Sequence, residues 1–401
     1  MNTYLVGGAV RDRMLGQPST ERDWLVTGIT GDALVGLGFK PVGRDFRVFL
    51  HPQTKEEYAL PRGEGIDGNE RALVEQDLRL RDLTINAIAI AADGEIIDPL
   101  FGLQDIEARM LRHTPGFGQD PIRILRLARL SARLADSGFR IAPETLALSR
   151  QMAADQALAD FRPERVWREI DNALGEPRPW LFFEQLRNLE ALNAVLPELD
   201  RLFGVPQPEK YHPEIDTGVH SLLSLERACE LSSDPRVRLA ALLHDVGKGT
   251  TPREQWPRHI GHEIRGARLI DALGRRLRMP KRYLELAVFT ARFHTDFHRA
   301  WELKSATLLK KLTSLDALRR PERMELVLLA CEADLTGRPG YEQAPYPQAE
   351  FFRRVLHAIC EVRGEDETRP DEDGEQTRQR IARARIKQID AVRRQWTSVE
   401  R

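Results

Sequence analysis

Near its start the chain reads "YLVGGAVRDRMLGQPSTERDWLVTG", with Gly7 and Gly8 directly after an apolar run and Glu21 and Asp23 one residue apart. A strand that runs through two glycines into a helix sets unhindered backbone N–H groups beside a helix N-terminus. That geometry suits pyrophosphate or triphosphate. Residues i and i+2 of a strand project from one face, so Glu21 and Asp23 can offer hard oxygen ligands to one or two Mg²⁺ ions. Such ions activate an attacking hydroxyl and neutralise a leaving pyrophosphate. An isolated acid-x-acid pair is most often a solvated strand end; the adjoining glycine turn reverses that preference.

A second set lies past the middle of the chain. His244 and Asp245 are adjacent in "HDVGK", with His220 upstream in "DTGVHSLL" and Asp334 downstream in "CEADLTGR". Imidazole and carboxylate ligands suit a divalent Ni, Mn, Zn or Mg ion, which lowers the pKa of a coordinated water into the nucleophilic range. The pattern resembles the HD metal-dependent phosphohydrolases. A metal-free HD fold serving only as an RNA platform is the plainer alternative. His259, His262, His294 and His298 are candidates for substrate contacts or a second ion, although most lone histidines are surface or packed residues.

Two architectures must position these groups. Up to about residue 112, short apolar runs alternate with glycine, proline and charge: "YLVGG", "DWLVTG", "FRVFLHP", "EEYAL", "TINAIAIAADGEIIDP". These predict short strands with a few helices between them. From Pro121 the apolar residues recur at helical period, as in "DPIRILRLARLSARLADSGF" and "RVRLAALLHDVGK", so residues 120–360 are expected to be all-α. Segment 363–378, "RGEDETRPDEDGEQTR", reads as a solvated linker ahead of a last basic helix. With 60 basic and 61 acidic residues among 401 the formal charge is −1, so a polyanionic partner must meet a local basic surface. Cys229, Cys331 and Cys360 lack disulfide-framework or zinc spacing. No apolar stretch approaches the roughly 20 residues that span a bilayer, and the first apolar run is too short for a signal peptide. A cytoplasmic protein without membrane attachment is expected.

"GGAVRD", the acid-x-acid strand and "RDLTINAIA" at 81–89 together resemble the class II tRNA nucleotidyltransferases. These are CCA-adding enzymes of the DNA polymerase beta superfamily, here in the bacterial branch with an appended HD domain. The likeness runs from Tyr4 to about Gly340. It implies addition of C, C and A to the tRNA 3′ end from CTP and ATP, with Mg²⁺ and without a nucleic-acid template. It also implies phosphatase and 2′,3′-cyclic phosphodiesterase action at the HD site. The fold implied is α+β: a polymerase-beta-like head, a small mixed sheet with helices, at 1–112, followed by an all-α neck and body at 113–204 for base selection and tRNA binding. An all-α HD domain at 205–340 and a helical tail with an acidic linker at 341–401 complete it, as a monomer or homodimer.

Carried over position by position, Glu21 and Asp23 match the metal-binding acids, and Gly7, Gly8 and Arg11 match contacts to the triphosphate. Arg81, Asp82 and Asn86 match residues around the nucleotide pocket; the plainer reading of "RDLTINA" is a helix start capped by Asp82 or Thr84. "QDPIR" matches the motif E-D-x-x-R, whose Asp and Arg act as a protein template. Asp120 and Arg123, three apart on one helix face, would present acceptors and a planar fork of donors to the incoming base. Arg126, Arg129 and Arg133 continue as a basic stripe suited to acceptor-end phosphates. Glu164, Arg165 and Glu169 match a motif that braces the template helix. The chain departs from the family at Glu21, where Asp is commoner, at Leu80 for a second arginine, and at Gln119 for Glu. It also carries a short "PRGEGIDGNERALVEQD" at 61–77 where the family has a longer loop. The short loop admits a variant that adds only CC. The departures together admit a tRNA-binding protein with an impaired head.

Overall fold

The computed structural model describes residues 1–18, 22–42, 47–63, 69–155, 162–363 and 373–396. The chain forms two compact units, Met1–Phe161 with Asn188–Ala191 and Arg162–Arg187 with Leu192–Arg401.

The first unit is built on a mixed sheet of β1 (Asn2–Val6), β2 (Asp23–Thr27), β3 (Lys40–Val42), β4 (Val48–Leu50), β5 (Glu57–Ala59), β6 (Ala89–Ala91) and β7 (Ile96–Ile97). Their order is β3-β4-β5-β2-β1-β6-β7, antiparallel except for the parallel β2–β5 pair. Its helices are α1 (Gly8–Met14), α2 (Gly31–Gly36), α3 (Glu70–Arg79), α4 (Gly102–Glu107), α5 (Arg123–Arg133) and α6 (Pro143–Ala154). Asn69 starts α3 by accepting the Ala72 N–H at 3.1 Å. Four residues apart on that helix, Val74 and Leu78 then bury against Val6, Leu25, Ala87, Ala89 and Ile97. Strands β8 (Met110–Leu111) and β9 (Arg140–Ile141) pair in parallel, across the boundary expected near residue 112. Both sides of that position belong to one compact unit, and β9 interrupts the segment expected to be wholly helical.

The second unit is helical. It comprises α7 (Pro163–Gly175), α8 (Pro179–Asn188), α9 (Leu192–Val195), α10 (Pro197–Asp200), α11 (Thr217–Leu231), α12 (Pro235–Leu243), α13 (His262–Arg276), α14 (Lys281–His298), α15 (Ser305–Ser314), α16 (Pro321–Thr336), α17 (Pro347–Cys360) and α18 (Gly374–Gln395). Only the last residue of α8 falls with the first unit. The expected solvated linker lies largely at 364–372, outside the described residues. Beyond it Asp373 and Gln376 form a capping box, and the basic helix α18 follows. That helix is not a loose tail. Ile389 and Trp396 join one core with Phe351 and Phe352 of α17, Val327 and Leu328 of α16 and Phe297 of α14. No helix among the described residues is long and apolar enough to cross a membrane.

Candidate active sites

Val6, the last residue of β1, stands directly opposite Asp23, the first of β2. The chain then turns through Gly7 at φ +73°, in the left-handed region, and enters α1. A Cβ at Gly7 would lie 3.2 Å from Arg81 Nη1 and 3.3 Å from Asp23 Oδ2. Glycine therefore lets a carboxylate and a guanidinium approach the same turn of backbone. Glu21, the expected partner of Asp23, lies outside the described residues, as do residues 64–68 of the shortened loop.

Behind this turn the first two motifs merge into one hydrogen-bonded network. Buried Arg11 donates from Nε and Nη2 to Asp12 Oδ1 at 2.9 and 2.7 Å, and from Nη1 to Asn86 Oδ1 at 2.8 Å. Asn86 Nδ2 donates to Asp82 Oδ1 at 3.1 Å, which also accepts the Leu83 N–H at 2.8 Å. Arg126 Nη1 lies 4.0 Å from Asp82 Oδ2, and Arg133 Nη2 donates to Asp12 Oδ2 at 3.4 Å. Burial pushes the Asp82 carboxyl up, but Arg126, the Asn86 amide, the Leu83 N–H and Arg123 outweigh it and hold it below the usual range. Arg81 Nε donates to Asp77 Oδ2 at 3.2 Å, which fixes the guanidinium that faces Gly7.

Asp120 Oδ1 accepts the Ile122 N–H at 3.3 Å, and α5 begins at Arg123, two residues after Pro121. Arg123 is buried. Its Nη1 donates to the carbonyls of Arg81, at 2.9 Å, and Gly116, and its Nη2 to that of Leu80 at 2.7 Å. An arginine has five N–H donors, and these bonds commit three of them to backbone on the "RDLTINA" side of the site. On the same helix Arg126 is exposed and Arg129 half-buried. In the second unit Glu169 is buried and Glu164 pairs with Arg278.

Five helices converge on the second set of groups: α11 carries His220, the end of α12 leads into His244 and Asp245, α13 brings His262, α14 His294 and His298, and α16 Asp334. His220 Nε2 lies 3.1 Å from Asp334 Oδ1 and 3.9 Å from Asp245 Oδ2, and His244 Nε2 lies 3.2 Å from Asp245 Oδ2 and 3.6 Å from Asp334 Oδ2. Asp245 Oδ1 faces His262 Nε2 at 3.3 Å and His294 Nε2 at 3.5 Å, while His298 Nε2 meets Asp334 Oδ2 at 2.7 Å. His259 is elsewhere, bonded through Nδ1 to Thr251 Oγ1 at 3.0 Å and through Nε2 to the Pro206 carbonyl at 2.9 Å. Gly247 explains how α13 comes so close: a Cβ there would lie 2.0 Å from the His262 carbonyl oxygen.

Metal ligation requires ionised carboxylates and neutral imidazoles; the two carboxylates and His294 meet this, whereas burial pushes His244 down but Asp245 and Asp334 outweigh it and hold it above its usual value. Burial pushes the Asp245 carboxyl up, but Lys248, whose Nζ is 2.6 Å from Oδ2, and His244 hold it well below the usual range. Asp334 is held low likewise by Arg338, His244 and His298 against its burial. Burial lowers His294 to about 4, keeping the imidazole neutral. His244 Nε2 and Asp245 Oδ1 are buried with no hydrogen-bond partner, as ligand atoms awaiting an ion would be. Among the described residues His220–His244–Asp245, His244–His294–Asp334 and Asp245–His262–His294 each bring three ligand atoms within 4.8 Å of one another. The donor set fits a divalent ion.

Over the whole of both chains, the sequence is 51% identical to the multifunctional CCA proteins of Teredinibacter turnerae and Alkalilimnicola ehrlichii. The chain belongs to the multifunctional CCA protein family. Residues 45–112 match the poly A polymerase head domain, 138–203 the probable RNA and SrmB-binding site of polymerase A, and 217–338 the HD domain. Among solved structures, a CCA-adding enzyme in its apo form I shares the fold at a TM-score of 0.67 and 18% identity, over 97% of this chain and 86% of that one. The Thermotoga maritima CCA-adding enzyme complexed with tRNA shares it at a TM-score of 0.62 and 17% identity, over 97% and 87% of the two chains.

In this member of the family the HD cluster also includes residues that the sequence reading passed over. His212 and Glu214 stand behind His220, and Arg338 Nη2 donates to Asp334 Oδ1 at 2.7 Å. Signals existed for both: a His-x-Glu just ahead of the helix carrying His220, and an arginine four residues after Asp334, one helical turn away.

Proposed function

We propose that this chain completes and repairs tRNA 3′ ends by adding C, C and A from CTP and ATP without a nucleic-acid template, and that its HD site hydrolyses phosphate esters at RNA ends. What carries the first part is the Asp23 carboxylate and the Arg81 guanidinium meeting at the Gly7 turn, within a chain alike over its full length to multifunctional CCA proteins. That full-length likeness favours CCA over CC alone.

In the transfer step the tRNA 3′-hydroxyl attacks the α-phosphate and pyrophosphate leaves. Mg²⁺ held by Asp23 and Glu21 would supply activation of that hydroxyl and neutralisation of the developing charge. Backbone N–H groups of the Gly7–Gly8 turn and the Arg81 guanidinium cradle the triphosphate. Arg11, buried with three of its five donors committed to Asp12 and Asn86, supports the turn from beneath. Asp120 and the donors of Arg123 not tied to carbonyls select the base by its hydrogen-bonding edge. Asp82 and Asn86 tie Arg11 and Arg126 together beside the nucleotide, and Arg126 and Arg129 hold the acceptor-end phosphates. The head spans 1–112, the base-selecting neck and body 113–204, the HD domain 205–340, and the helical tail the remainder.

At the second site His220, His244, Asp245 and Asp334 would hold one divalent ion, Ni, Mn, Zn or Mg, and Asp245 with His262 and His294 a second. The ions would supply a nucleophile near neutral pH and polarisation of the phosphoryl oxygens. Lys248 and Arg338 keep the two carboxylates ionised for that task.

The test is to incubate the protein with tRNA ending at the discriminator base, CTP, ATP and Mg²⁺, then sequence the 3′ ends. CCA ends are expected. Ends stopping at CC would replace the proposal with the short-loop variant, and unextended ends would refute nucleotide addition.

A further inference from the structure

The loop that enters α11 holds a strained residue. Ile215 sits at φ +58°, where a β-branched side chain is a genuine outlier, yet the residue is 42% exposed, so its own packing does not impose the conformation. Strain of this kind persists only where the surroundings over-determine it. Here both neighbours are pinned, in opposite directions. Asp216 caps α11, accepting the Val219 N–H on Oδ1 at 2.9 Å and the Gly204 N–H on Oδ2 at 2.6 Å. Glu214 turns inward, its side chain 2% exposed, with Oε1 2.8 Å from His220 Nδ1 and 3.1 Å from His212 Nδ1. The Ile215 N–H donates to the His212 carbonyl at 2.9 Å, and the Ile215 carbonyl accepts the Gln207 N–H at 2.9 Å, which locks the turn. One left-handed residue thus sends one acid to a helix N-terminus and the other behind a histidine of the HD set.

We propose that Glu214 is a positioning residue of the HD site: set against Nδ1 of His220, it keeps the proton on that nitrogen and leaves the Nε2 lone pair for the ion. The inference rests on the metal-binding reading given above. A carboxylate behind a ligating imidazole fixes its tautomer and ring orientation and raises its basicity. The ring is already aimed, with Nε2 toward Asp334 and Asp245. Oε1 stands 2.8 Å from Nδ1 without hydrogen-bond geometry, so the contact is electrostatic. His212 supplies Glu214 with a second partner on the same oxygen, while Oε2 stays buried without one. Holding a carboxylate there is costly unless it serves a charge nearby.

The experiment compares the full-length wild type with Glu214→Gln after chelator treatment. Calorimetric titration with Ni²⁺ gives the affinity, thermal unfolding without added metal gives the stability, and CCA addition reports on the rest of the chain. Binding of Ni²⁺ about 10–100-fold weaker in the variant, with CCA addition at the wild-type rate, is the expected result. Unchanged affinity overturns the proposal even if the variant is less stable, because a purely structural residue moves stability alone. Should Glu214→Gln fail to fold, Glu214→Asp keeps the charge, withdraws it by one methylene and is read the same way. A wild-type chain that binds no Ni²⁺ overturns the HD metal reading and this inference together; a wild type that binds while the variants match it overturns the inference alone.

Discussion

Gly247→Ala tests whether close helix approach sets the HD cluster. The added Cβ would stand 2.0 Å from the His262 carbonyl oxygen and 2.6 Å from the Gly266 nitrogen, both backbone atoms that cannot swing aside. Ordinary contact begins at 3.4 Å, so the first turn of α13 must retreat by 3.4 − 2.0 = 1.4 Å. His262 rides on that turn, and directly away from Asp245 its Nε2 would pass from 3.3 Å to 3.3 + 1.4 = 4.7 Å. Overpacking of this kind costs about 1–3 kcal/mol of stability. Displacing a positioned group by about 1 Å costs on the order of 100-fold in rate. Hydrolysis of a 2′,3′-cyclic phosphate should therefore fall about 100-fold while CCA addition, assayed in the same preparation, stays within about twofold. Hydrolysis within about threefold of wild type would refute the link between the approach at Gly247 and the placement of His262.

Asp23→Asn should lower nucleotide incorporation by about three orders of magnitude or more, from several kcal/mol of lost charge stabilisation, with HD hydrolysis unchanged; primer-extension gels on tRNA decide it. Arg123→Lys keeps the charge but not the fork, leaving carbonyls of Leu80, Arg81 or Gly116 unpaired at about 1–3 kcal/mol each, which denaturant unfolding would measure. Asp82 has a folded pKa below its ordinary 3.8, so its stabilisation is fully present above that value and is lost as pH falls through the folded one. Wild-type stability should exceed that of Asp82→Asn above about pH 4, and the gap should close on acidification, as thermal midpoints at several pH values would show. Phe352→Ala removes a ring stacked 4.3 Å from Phe297 in a fully buried core and should cost about 3–5 kcal/mol, read from calorimetric unfolding.

What the sequence made legible was local. The β1–Gly7–α1 turn, the period-3.6 helices of the second unit and the His-Asp pair all announce themselves within a few residues. The contacts that were not legible join distant segments. Arg123 reads as a template arginine offering its fork to the incoming base, yet that fork closes on carbonyls 42 and 43 residues back in the chain, a pairing that no periodicity encodes. The sequence shows α18 only as a basic helix beyond a solvated linker, because just a narrow stripe through Ile389 meets the core. For Glu214 the His-x-Glu spacing was the one local cue; the turn at Ile215 that aims it inward was not legible, since nothing in an isoleucine advertises a left-handed conformation.

The burial of Ile389 and Trp396 has a consequence for how the molecule is made. Strands of the first unit end at β9, so the ribosome releases a nearly complete nucleotidyltransferase sheet early, and such a unit closes on its own as it emerges. The second core stays open until residues up to Trp396 have been translated. A nascent chain cut short in its final helix would thus carry a finished sheet unit tethered to an unsealed, aggregation-prone helical one.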